Sequence, residues 1–122
     1  MSVHSYRVTV RGHFADLDPT TRARLLAEAD AHDALQARFT PEGTFVHDRA
    51  LVAFSFRYEL RVDEEVRSSA DDVAVLTALE RAEAFLAGAG ITHRGLRATA
   101  DNMGDVWERP SGVPPGRRAR RR

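Results

Sequence analysis

The stretch LVAFSFRYELRV, residues 51–62, alternates without a fault from Phe54 onward. Phe54, Phe56, Tyr58, Leu60 and Val62 fall on one side of a period-two ribbon, and Ser55, Arg57, Glu59 and Arg61 on the other. Such a strand needs an apolar layer beneath it and water or a polar ligand above it. It is therefore expected to be a central strand with one open, ionic face.

Upstream, Tyr6, Val8, Val10 and Phe14 alternate with Arg7, Thr9, Arg11 and His13, so a first strand is predicted over about 6–14. Asp18-Pro19 starts a helix, with Asp capping free amides and Pro at the first helical position, where no donor is needed. Its buried stripe is Leu25, Leu26 and Ala29, and fraying is expected near Asp33 to Leu35. Pro41-Glu42-Gly43 has turn chemistry, and Thr44 to Asp48 reads as a second strand that returns into the third as a hairpin. The side of that strand facing the core is ambiguous, since Val46 competes with Phe45.

Ser69 with Asp72 resembles a capping arrangement for a second helix, whose stripe is Val75, Ala78, Leu79, Ala82 and Leu86, broadened by Phe85. Gly88 and Gly90 are expected to end it. Gly95 to Met103 reads as the last strand. The order βαββαβ, with half-buried helices and one-faced strands, predicts an α+β two-layer sandwich. Right-handed crossovers make it ferredoxin-like, with sheet order 4-1-3-2 and both helices on one face. The domain is expected to cover residues 1–108. Residues 109–122, with SGVPPG and then RRARRR, read as a linker and a basic tail with little order of their own.

Composition narrows the function classes. There is no Cys among the 122 residues, so disulfides, thiolate metal sites and Cys nucleophiles are excluded. No apolar run approaches the roughly 18 to 20 residues that span a bilayer, and the start lacks a secretory pattern, so a cytoplasmic protein without membrane partners is expected. All 18 basic residues are Arg. Residues 1–112 hold 13 of them against 18 acids, a balance of −5, and the last ten residues hold the other 5. The five His form no metal-spaced pair, and Gly-rich phosphate loops are absent, so neither metal nor cofactor is expected.

The segments YRVTVRGHF (6–14), HDALQARFTPEGTF (32–45), FSFRYELR (54–61) and GLRATADNM (95–103) resemble a family of short bacterial proteins known only as a domain of unknown function. The resemblance covers about residues 5–103 and supports the βαββαβ reading. It implies no substrate, cofactor or catalytic residue.

In the expected sheet the first and third strands are central neighbours, so Arg7, Arg11, Arg57 and Arg61 share the open face, joined by Arg97 from an edge. Guanidinium groups match carboxylate and phosphate oxygens in pairs, which makes these four, with His47, the candidate ligand-binding residues for an anionic or polyoxygenated small molecule. His13 ends the first strand on the same face and is the candidate general base. The competing reading is a solvated face of cross-strand Arg and acid pairs, each contributing only about 0.2–1 kcal/mol and needing no ligand. These residues leave an enzyme and a non-catalytic interaction module both open. A homodimer is expected, stacked or joined edge to edge. Nucleic acid is disfavoured as a partner, because the strand aromatics lie on the helix side rather than on the open face.

Overall fold

The computed structural model describes residues 3–32 and 37–104. The strands are β1 (Val3–Phe14), β2 (Thr44–His47), β3 (Ala53–Asp63) and β4 (His93–Asn102). The helices are α1 (Pro19–Ala27) and α2 (Arg67–Gly88), and a single 3-10 turn, Ala29–His32, follows α1. The strands form one antiparallel sheet in the order β2-β3-β1-β4, an α+β architecture.

Alternation places the two central strands face to face. Tyr6, Val8 and Val10 lie opposite Leu60, Tyr58 and Phe56, and all six are buried beneath the helices. The short residue in this row is Gly12, opposite Phe54; a Cβ there would come within 2.6 Å of the Phe54 ring. The register between β1 and β4 shifts between Arg11 and His13. Gly43, at φ +89, lets the chain turn into β2 against the Tyr58 ring.

Helix α1 begins as expected: the Asp18 carboxylate accepts from the Thr21 amide at 2.7 Å, which holds its pKa below the ordinary value. Leu25 and Ala29 are buried and Leu26 is half-buried. Arg24 Nη2 donates to the Ala89 carbonyl at 2.5 Å, tying α1 to the end of α2. The expected fraying near Asp33 to Leu35 lies outside the described residues.

Helix α2 corrects the expected cap. It starts at Arg67 with Val66 as N-cap and no side-chain cap, and the Ala70 amide donates to the Val66 carbonyl. Ser69 and Asp72 lie inside it. Its buried line is Ala70, Ala74, Ala78, Ala82 and Leu86, one residue per turn, so the helix backbone lies close to the sheet. Val75 and Leu79 are half-buried. Phe85 is 46% exposed, although its ring meets Phe45 and Phe56 at 5.2 and 5.3 Å between centroids. Gly88 is the last helical residue, Ala89 the cap, and Gly90 at φ +69 turns the chain towards β4.

The buried Tyr6 hydroxyl donates to Asp71 on α2. Burial first, and then this hydrogen bond, push its pKa up to about 12. Among the described residues no helix is long and apolar enough to cross a membrane. The expected linker and tail, 109–122, lie outside the described residues.

Candidate functional site

The register divides the open face into two ends. Near the C-terminal half of β3, Arg7 has Glu59 opposite it on β3 and Asp101 opposite it on β4. Near the other end, Arg11 has Ser55 on one side and Arg97 on the other. Like charges directly opposite one another on a sheet are unfavourable. The neighbours of Arg11 along this face, Thr9, His13 and Thr99, supply no acid either. Its one hydrogen bond among the described residues runs from Nη1 to the Thr99 hydroxyl at 3.3 Å.

The expected row of four ligand-binding arginines is thus not a single site. Arg7 and Arg61 line a groove of about 580 Å³ that runs past Glu59 and Asp63 to Thr77 and Arg81 of α2. Arg11 lines a separate cleft of about 520 Å³ at the other end. Arg57 lines neither and has a different task. Its Nη1 donates to the Ala37 carbonyl at 2.8 Å, and its guanidinium lies 5.9 Å from the centre of the Phe39 ring. Arg7 lies 5.3 Å from the same ring. Phe39 therefore covers part of the open face between the two arginines, where contacts of this kind contribute about 0.5–1 kcal/mol. The segment is anchored further by Thr40, whose amide donates to the Arg57 carbonyl and whose carbonyl accepts from the Glu59 amide at 2.8 Å. The expectation that strand aromatics lie on the helix side holds for β3, and Phe39 arrives on the open face from a loop.

The cleft at the Arg11 end brings together residues from both sides of β2. Arg11, His13 and Arg97 come from the open face, and Asp30, His47 and Asp48, from the 3-10 turn and the end of β2, line it as well. The Asp48 carboxylate accepts from the Ala50 amide at 2.9 Å. His47 corrects the expected orientation. Phe45 pairs with Phe56 and His47 with Phe54, so both point towards the helices, while Val46, opposite Ser55, takes the open side. All three are buried, at 6%, 7% and 4% exposure, because the strand is covered on both faces. His47 therefore reaches the cleft around the end of β2, not from beside His13.

The surroundings of His47 set its chemistry. Its ring lies 5.1 Å from His32, 5.1 Å from Phe45 and 6.0 Å from Phe14, centroid to centroid. Burial, reinforced by the charge of His32, lowers its pKa against the opposing pull of the Asp48 carbonyl and carboxylate and of Glu28. Nδ1 lies 3.2 Å from the Asp48 carbonyl, which fixes the tautomer with the proton on Nδ1. Nε2 then carries a lone pair, and it is buried with no partner among the described residues. Leaving a buried polar atom unpaired is costly.

The Arg97 position was expected only as an addition, and Phe39, Asp30 and Asp48 were not foreseen. Phe39 and Asp48 sit in segments without periodicity, and Asp30 sits in the 3-10 turn, so only the folded chain brings them to the sheet. His4 and His93 lie apart from the cleft: His4 Nδ1 accepts from the Asn102 side-chain amide at 3.3 Å, and His93 packs on Phe54 at 6.3 Å between ring centres. Among the described residues no group of three or more His, Asp or Glu is placed to hold a metal ion.

The chain matches the model of a family of unknown function (DUF6204) over residues 1–112. No curated protein and no solved structure matches it.

Proposed function

The chain belongs to this family of unknown function, and from its own geometry we propose that it binds a small, hydroxylated anion in the cleft at the Arg11 end. The observation that carries the reading is Arg11: a cation whose opposite neighbours are Ser55 and Arg97, on a cleft of ligand size. A carboxylate or phosphate there would supply the negative charge that the sheet does not. Asp30 and Asp48 also line the cleft, and their carboxylates are acceptors that suit ligand hydroxyls. His13, half-buried beside Arg11, is the residue we assign as proton acceptor if the bound molecule is turned over. The strand order β2-β3-β1-β4 with a helix after β1 and a helix after β3 also supports a ferredoxin-like assignment of the domain.

Titration calorimetry of the full chain with gluconate, a polyhydroxylated carboxylate, and with hexanoate, its counterpart without hydroxyls, tests this. Gluconate should bind saturably and hexanoate should not. Arg11→Ala should weaken gluconate by about tenfold or more, the worth of a lost charge-assisted hydrogen bond. Equal weakening by Arg7→Ala, or no saturable binding of gluconate, would refute the assignment.

A further inference from the structure

We infer that the free edge of β4 pairs with the β4 edge of a second copy, antiparallel and centred on Thr99, so that Arg97 of each chain meets Asp101 of the other. β4 is an end strand of the sheet, and among the described residues nothing pairs with its outer side over residues 93–102. A strand edge of this length presents a row of unmade backbone hydrogen bonds, and β4 contains neither Lys nor Pro to discourage pairing.

The direction of those groups follows from the ladder. The Arg57 carbonyl and the Glu59 amide are directed to Thr40, away from β1, so even-numbered residues of β3 face β1. Their partners Tyr6, Val8 and Val10 face β3 in return, which turns Arg7, Thr9 and Arg11 towards Asp101, Thr99 and Arg97. The amides and carbonyls of Leu96, Ala98, Ala100 and Asn102 are therefore the ones directed outward. A twofold arrangement about Thr99 sets Ala98 against the partner's Ala100 and Leu96 against the partner's Asn102, exchanging hydrogen bonds at each. Leu96, Ala98 and Ala100 are half-buried apolar residues on the helix side, and a neighbouring strand would cover their exposed flank.

Charge selects this register from its neighbours. Moving the centre by two residues towards the start of β4 sets Arg97 against itself, and a one-residue move pairs Arg97 with Thr99. Centred on Thr99, both Arg97 and Asp101 meet an opposite charge, and self-complementarity of this kind is what a twofold interface requires. It also answers the like-charge juxtaposition of Arg11 and Arg97: the partner's Asp101 takes Arg97, and Arg11 is left to the cleft. The inference does not rest on the ligand reading, because the edge and its charges stand whether or not the cleft is occupied.

The test is sedimentation equilibrium of the full chain, with circular dichroism confirming that each variant is folded. The wild type should be dimeric. Arg97→Asp and Asp101→Arg should each weaken the dimer by about tenfold or more, since each replaces two attractions by two repulsions. Mixed together, the two variants should form a heterodimer, and the double variant R97D/D101R should dimerise with itself. A monomeric wild type, or a dimer indifferent to both single variants, would overturn the inference. Loss of gluconate binding with the dimer intact bears on the cleft alone, and loss of the dimer with gluconate still bound bears on the edge alone.

Discussion

The two ends of the open sheet face are built from the same residue types and have opposite characters. At one end Arg7 lies between Glu59 and Asp101 and under Phe39. At the other, Arg11 lies between Ser55 and Arg97 and borders a cleft that His47, Asp30 and Asp48 also line. The first sets an acid opposite the arginine on each side, so charge is balanced across the strands there. The second leaves a charge unanswered across the sheet. Counting arginines on a face therefore says little about binding, and their cross-strand neighbours decide which of them is available.

The sharpest way to break the comparison is to remove what holds the cleft wall. The Phe45 ring stacks on Phe56 at 5.0 Å and touches both His32 and His47 at 5.3 and 5.1 Å. Phe45→Ala should cost about 3–5 kcal/mol in denaturant unfolding. If the variant is still folded, the cleft end should lose order in amide exchange while the Arg7 end keeps it.

A smaller effect is expected where the face is closed. Arg57→Ala removes the hydrogen bond to the Ala37 carbonyl and the contact with Phe39. It should destabilise by about 1–2 kcal/mol, with gluconate affinity changed less than threefold. A large loss of affinity would mean that Arg57, and not Arg11, is the arginine that binds.

The smallest effect is one of pH. The folded-state pKa of His47 lies below its unfolded value, so the unfolded chain takes up the proton first. Stability should be flat above the ordinary His range near 6.5, fall as pH drops through it, and level off once the folded imidazole is protonated. The charged groups nearest it, His32, Glu28 and Asp48, belong to the 3-10 turn, the end of α1 and the strand end. His47→Phe should reduce this slope in unfolding curves measured between neutral and mildly acidic pH. An unchanged slope would assign it to other groups.

Much of this fold is legible in the sequence because β1 and β3 each bury one side only, and strict alternation then reports the face of every residue. β2 is illegible for the opposite reason: Phe45, Val46 and His47 are all buried, so no alternation marks which side faces the helices. The start of α2 is not legible because the first turn is set by Val66 and the packing of Ala70, whereas the sequence offers polar candidates two to six residues later. The arginines of the open face were readable as a group. Their division into two ends was not, since it depends on which residue stands opposite which across three strands. Phe39 reaches the face from an irregular segment, where spacing carries no information.

The most direct measurement is an NMR titration of the full chain with gluconate, following the Arg side-chain Nε–H signals and the His ring signals. Saturable shifts at Arg11 and His13, with Arg7 and Arg61 unmoved, are the expected result. Shifts centred on Arg7 and Arg61, or spread evenly over all the arginines, would contradict the division of the face into a closed end and a binding end.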